Sequence, residues 1–334
     1  MTVRGAPFAE STQCTSRDCV LELDAVDYQG PDSSFKTRMY NGAIPGPTIR
    51  VQAGDTFHIT VHNHLLDIDN FDFEELNIFK HPNSTGLHTH GLHVSPYSDN
   101  VFLNIPPSTS SVFSYTVPSS HQAGTYWYHP HLHGSTTLQA ASALGMLIVE
   151  DADNEVPPRI QELVEVQIVL THVNLAHLSP IQFLFNSALL KKSGEGDADE
   201  IMLVNGQSAP TLTVEAGKWY RWRILFQGSQ GGFNFEFDNP SCEFQLLAKD
   251  GVYLQTAPRK VEYLPLYPAA RCDVAVRCDG SVPTVNFVGG SIVPTETWNG
   301  TVINLDVVPS AVADDELPTF EVTQLSNIGV PHNH

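Results

Sequence analysis

The sequence predicts an all-β protein: two tandem sandwiches or barrels of Greek-key type. Three observations lead there. An internal repeat places Pro47-Thr48-Ile49-Arg50-Val51-Gln52-Ala53-Gly54 and Pro210-Thr211-Leu212-Thr213-Val214-Glu215-Ala216-Gly217 about 163 residues apart, each preceded by an Asn-Gly pair, Asn41-Gly42 and Asn205-Gly206. Each copy runs into an alternating apolar segment, Phe57, Ile59 and Val61 in the first and Tyr220, Trp222 and Ile224 in the second. Period-two alternation after a glycine turn reads as a strand with one buried face. The other apolar runs (145–149, 166–170, 274–276 and 302–308) are short and cut by Gly, Pro and Asn, and helical periodicity is scarce.

The chain of 334 residues is long enough for two domains, each burying its own core. The first is expected over 1–155 and the second over 156–309. The break lies at Asp151 to Arg159, where acidic residues and Pro157-Pro158 follow an apolar strand. From Pro309 the chain turns acidic and irregular, so 310–334 reads as a linker toward a further domain. The formal net charge of −20 argues against nucleic acid or an anionic membrane surface as a partner. No apolar stretch is long enough to cross a bilayer, and no basic-led hydrophobic leader opens the chain. Of five cysteines, Cys14/Cys19 and Cys272/Cys278 are close enough in sequence to be bridged, leaving Cys242. With two glycosylation triplets, at Asn83 and Asn299, they lean toward a secreted or periplasmic protein.

Fifteen histidines carry the chemistry. Two clusters stand out: Leu87-His88-Thr89-His90-Gly91-Leu92-His93 and Tyr126-Trp127-Tyr128-His129-Pro130-His131-Leu132-His133-Gly134. Residues i and i+2 of a strand share a face, so His88 with His90 and His129 with His131 each offer two imidazoles side by side. Neutral imidazole suits copper, zinc, nickel or iron, and two such pairs on neighbouring strands could converge on metal. Gly91 and Gly134 let backbone approach closely, Trp127 and Tyr128 supply bulk, and His93 and His133 are candidates for an outer layer. His62-Asn63-His64 reads as a solvated strand face. His58, His81, His121, His172 and His177 are isolated and read as structural or exposed.

The run Asn41 to Asp55, followed by His88-Thr89-His90-Gly91 and then Tyr126 to Gly134, resembles the first domain of multicopper oxidases. The His-Pro-His-x-His-Gly form, with 145–151, looks nearest to the bacterial cuprous-oxidase-like branch. The second copy, with Leu247-Ala248-Lys249-Asp250-Gly251 and Arg271-Cys272-Asp273, is similar to the family's second domain, which binds no catalytic copper. The resemblance covers essentially the whole chain and implies cupredoxin-like domains. It also implies copper at four histidines: His88 at type 2 copper, His90 and His129 at one type 3 copper, His131 at the other. Asp99, eleven residues after His88, stands where relatives carry an acidic group and becomes a candidate proton relay, against the plainer reading of a loop aspartate.

The departures from the family matter as much. A type 1 copper needs a cysteine with two histidines, and none of the five cysteines here has a histidine beside it. Only half of the family's eight trinuclear histidines are present. The expectation is therefore the front portion of a copper oxidase using dioxygen and an unidentified reducing substrate (a phenol or metal ion), inactive alone. It would be completed by a third domain or partner chain. The alternative is a non-catalytic copper-binding two-domain protein. A compact two-domain laccase or nitrite reductase is disfavoured, because those keep a His-Cys motif.

Overall fold

The computed structural model describes residues 6–14, 17–31, 34–66, 83–132, 142–153, 155–174, 191–192, 200–228, 231–294, 297–311 and 313–322. The first sandwich holds strands β1 (Asp18–Gln29), β2 (Ser34–Tyr40), β3 (Ile49–Val51), β4 (Thr56–Asn63), β5 (His88–His90), β6 (Thr109–Thr116), β7 (Gly124–His129) and β8 (Gly145–Val149). A single helical turn, α1 (Pro158–Gln161), follows where the domain break was expected, its proline filling the first turn. The second sandwich holds β9 (Val164–Asn174), β11 (Glu200–Val204), β12 (Thr211–Glu215), β13 (Tyr220–Gly228), β14 (Phe233–Phe237), β15 (Cys242–Lys249), β16 (Val252–Tyr253), β17 (Thr256–Ala257), β18 (Arg259–Val261), β19 (Leu264–Leu266), β20 (Arg271–Cys278), β21 (Thr284–Ser291) and β22 (Asn299–Val308). Two short strands lie apart: β10 (Lys191–Lys192), which joins the first sandwich, and β23 (Phe320–Glu321).

The repeat seen in sequence recurs in the topology. The first sandwich packs a sheet ordered β10-β2-β1-β4-β6 against one ordered β3-β8-β7-β5. The second packs β11-β9-β13-β20-β15-β16 against β12-β22-β21-β14-β19. In each, the strand opening the repeat pairs in parallel with the last strand of its sandwich, β3 with β8 and β12 with β22. The strand after the glycine turn pairs in parallel with the first, β4 with β1 and β13 with β9. Phe57, Ile59 and Val61 enter the first core, and Trp222 and Ile224 the second.

Two features depart from expectation. Cys242, not Cys272, is bridged to Cys278, beside the bridge of Cys14 to Cys19. Cys272 and Cys278 are six residues apart on one extended strand, about 20 Å, beyond any disulfide. Cys242 stands directly opposite Cys278 across the β15–β20 pair. Residues 313–322, within the expected linker, lie along the second sandwich. There β23 pairs with β17, Leu317 and Val322 are buried, and Asp314 accepts the Trp219 backbone N–H at 2.8 Å.

The two sandwiches share an interface with an apolar and a charged part. Trp127, Leu144, Met146 and Ile148 point away from the first core and pack on Val169 and Leu225 of the second. Beside them Arg221, Arg223, Asp273, Asp151 and Glu165 form a buried network, closed onto the first sandwich by Thr125 and Arg50.

Candidate metal centre

Antiparallel pairing of β5 with β7 sets His88 opposite His129 and His90 opposite Trp127. All four therefore share one face of the sheet. It is the face that the second sandwich covers further along, so the histidines sit where that cover ends. The intervening residues, Thr89, Tyr126 and Tyr128, turn inward and are buried. β7 is covered on both faces and so shows no polar alternation.

One ring nitrogen from each of His88, His90 and His129 lies within 4.8 Å of the other two, the one such set of three metal-ligand side chains found among the described residues. The His131 ring is exposed and stands 5.1 Å from that of His88 and 5.9 Å from that of His129. All four expected histidines thus meet at one place, three as a compact set and the fourth on its open side.

The hydrogen bonds fix which nitrogens face that place. The Pro130 carbonyl can only accept, so His129 carries its proton on Nδ1 (2.8 Å) and its Nε2 keeps a lone pair. His90 Nδ1 lies 3.2 Å from that Nε2 and donates to it. His88 Nδ1 donates to Asp99 Oδ2 at 2.6 Å, which leaves its Nε2 free, and Asp99 Oδ1 accepts the Thr89 backbone N–H at 3.0 Å. Burial, against the Pro130 hydrogen bond, pushes His129 down to about 3. Burial, and then the nearby Arg271 and His88 charges, push His90 down to about 4. Both are neutral donors near pH 7, the form a metal requires. Trp127 walls the set on the protein side, its ring 5.1 Å from His90 and 4.2 Å from His129. Three clustered imidazoles with oriented rings, two of them held neutral, fit copper or another imidazole-seeking metal.

The remaining histidines lie elsewhere. His93 donates its backbone N–H to Nε2 of buried His121 at 2.9 Å, away from the set. His64 bonds Glu22, and His172 is fully buried and bonds Glu200. His81, His133, His177 and Gly134 lie outside the described residues. Asn83, in the first glycosylation triplet, is buried and bonded to Arg38 and the Leu66 carbonyl, whereas Asn299 is exposed. Sequence reasoning missed Arg271, which reaches the site from the second sandwich; its only signal was the Arg271-Cys272-Asp273 run.

Two family models, both described as multicopper oxidase, match residues 26–154 and 172–288. The chain belongs to the multicopper oxidase family. Among similar proteins, the iron transport multicopper oxidase FET3 of Gibberella zeae is 30% identical over 70% of this chain and 35% of its own length. The multicopper oxidase mco of Staphylococcus aureus is 26% identical over 75% of this chain and 50% of its own. Laccase-3 of Thanatephorus cucumeris is 26% identical over 72% and 41%. The chain thus spans a third to a half of these multicopper oxidases. Solved structures share the fold. The laccase-like multi-copper oxidase CueO from Ochrobactrum sp. aligns with TM-score 0.67 and 19% identity over 92% of this chain and 65% of that one. The Campylobacter jejuni multicopper oxidase gives 0.65 and 20% over 95% and 62%. Multicopper oxidases bind copper, and the histidine set lies within the first matched segment.

Proposed function

We propose that this chain is the two-sandwich portion of a copper oxidase, a protein that couples one-electron oxidation of a reducing substrate to reduction of dioxygen to water. The observation that carries the reading is the set of three imidazoles within 4.8 Å on one outward sheet face, with His131 beside it. In this assignment His88 serves the type 2 position, His90 and His129 one type 3 position, and His131 the other. Copper bound there would supply the electron-accepting and oxygen-binding chemistry. The chain's own residues present neutral nitrogens, hold the rings with Asp99 and the Pro130 carbonyl, and close the inner side with Trp127. Asp99 already engages His88 and Thr89, which favours an orienting role, with proton relay as the further role its spacing suggested. The two disulfides support a secreted or periplasmic protein.

One observation favours a second reading, a copper-binding module or subunit without turnover of its own. No thiol is offered to a type 1 copper: four cysteines are bridged, and Cys272 is buried with its thiol pushed up by that burial. On either reading the chain alone does not complete the oxidase cycle.

Copper titration of the chain and of His88→Ala, His90→Ala and His129→Ala tests the site. Binding lost in each variant is expected; copper bound equally by all three would overturn the assignment. The intact mass of the natural product separates the two readings. A larger product containing a His-Cys-His segment supports the oxidase, and a product ending at His334 supports the module. Oxygen turnover by this chain alone would sink both.

A further inference from the structure

We infer that the second sandwich positions the histidine strands of the first through Arg271 and the Asp250-Gly251 turn, with Arg271 a positioning residue for His90 and His129. The inference rests on the copper reading above.

Arg271 opens β20 and is buried, and its guanidinium forms one loose ion pair, with Oδ1 of Asp250 at 3.6 Å. Its hydrogen bonds go to three backbone carbonyls from separate segments. Nε donates to Thr125 on β7 (3.3 Å), Nη1 to Ala269 (2.9 Å) and Nη2 to Asp250 (3.1 Å). Its side-chain hydrogen bonds all go to neutral acceptors, and its one carboxylate partner, Asp250, is 3.6 Å away and largely exposed, so little of its desolvation penalty is offset and stability alone is a poor reason for it. The rigid fork does fix the distance between the 250–251 turn and β7, four residues before His129.

The same guanidinium reaches the end of β5. A Cβ on Gly91, which follows His90 and has φ +93°, would lie 2.8 Å from Arg271 Nη2 and 2.9 Å from Tyr126 Cδ1. Gly91 is therefore the residue that admits Arg271 and Tyr126 against the turn carrying His90. Tyr126 continues the clamp, donating its hydroxyl to the Gly251 carbonyl at 3.1 Å. At the start of β7 a Cβ on Gly124 would stand 2.6 Å from the Gly251 carbonyl oxygen and 2.8 Å from its Cα. That contact is backbone against backbone and cannot yield by a rotamer change. The start of β7 is thus seated on this turn, and the end of β5 on Arg271 and Tyr126, both bonded to the turn; the second sandwich contributes no ligand to the set.

The test measures copper on the whole chain. Cu(I) affinity by competition with a chromophoric chelator and the Cu(II) electron paramagnetic resonance spectrum are taken for wild type, Arg271→Met, Arg271→Lys and Gly124→Ala. Metal-free melting temperatures are taken alongside. Both Arg271 variants are expected to weaken copper binding about 10–100-fold and to change the spectrum, as lost outer-shell partners of a metal site do. Lysine keeps the charge but cannot span three carbonyls, so it should not rescue. Arg50→Met serves as control: it removes an interdomain ion pair that touches neither histidine strand, and should keep wild-type affinity and spectrum. Wild-type affinity and spectrum in Arg271→Lys, or in Arg271→Met where it folds, overturn the inference. An equal loss in Arg50→Met also overturns it, because interdomain cohesion would then be the cause. Failure of the wild-type chain itself to bind copper at His90 removes the copper reading first, a distinct outcome.

Discussion

Asp273 offers a sharp test of what joins the sandwiches. Its carboxylate is 1% exposed and accepts four bonds. Oδ2 takes Arg221 Nη2 at 2.6 Å, Arg221 Nε at 3.2 Å and Arg223 Nη1 at 2.8 Å, and Oδ1 takes the Thr125 hydroxyl at 2.5 Å. Asp273→Ala would strand three guanidinium N–H groups away from water. Breaking a buried pair by removing one partner costs about 3–5 kcal/mol. Arg221 keeps Asp151 and Arg223 keeps Glu165, so the lower end applies, about 3 kcal/mol. For a chain of 334 residues, with an unfolding entropy of about 0.7 kcal/mol/K, that corresponds to a fall in Tm of roughly 4 °C. Differential scanning calorimetry of the metal-free chain at pH 7 measures it. Asp27→Ala, which breaks an exposed 3.5 Å pair with Lys36, is the control and should move Tm by about 1 °C or less. A fall below about 2 °C for Asp273→Ala would refute the view that this network ties the domains together.

The disulfides should differ in worth. Cys242→Ser opens a loop of 36 residues and should cost about 4 kcal/mol, against about 2 kcal/mol for Cys14→Ser with its separation of 5, read from denaturant midpoints. Acid should weaken the metal-free fold in a set order. His129, folded near 3 but about 6.5 when unfolded, contributes stability that is complete above pH 6.5 and lost as pH falls toward 3. Burial alone would raise Glu165, but Arg223 and Arg50 hold it down to about 2, so its share is lost between about pH 4.5 and 2. Tm should therefore drop between pH 7 and 4, and His129→Gln should flatten that drop; a level wild-type profile counts against the buried neutral imidazole. Expression through a eukaryotic secretory route should add one N-glycan, at Asn299, read by intact mass and abolished by Asn299→Gln. A glycan on Asn83 would contradict its burial.

The fold was legible because its repeat is written in residues that turns and strands require. Asn-Gly before each copy, Gly54 and Gly217 after it, and the alternation beyond fall at corresponding places in the two sandwiches. His88, His90 and His129 were legible for a similar reason: strand periodicity puts i and i+2 on one face, and the pairing of β5 with β7 needs only to bring the two faces together; His131 lies just past the end of β7, beside them. The correct partner of Cys278 was not, since proximity in sequence is a poor guide when both residues lie on one strand. Nor was Arg271, which acts through carbonyls of three segments that only tertiary structure assembles. The docking of 313–322 was hidden by composition: an acidic, proline-bearing stretch resembles a linker, and its contacts, Asp314 on Trp219 and Leu317 in an apolar cleft, rest on single residues without periodicity.

Comparison of the two halves shows why only the first holds the histidine set. In each sandwich the last strand pairs with a neighbour that in turn pairs with a third: β8 with β7 and β5, β22 with β21 and β14. In the first, the outward face of the latter two carries His88, His90, Trp127 and His129. In the second, the inward positions hold Phe233, Phe235 and Phe287, all fully buried. The outward ones hold Asn234, Glu236, Asn286 and Val288, with no histidine among them. The same strand geometry therefore serves both domains, and the side chains on the outward face decide which one carries the histidine set. The second domain places its buried polar groups at the interface. Arg221, Arg223 and Asp273 hold it against the first sandwich, and Arg271 beside them faces the strands on which the histidines stand.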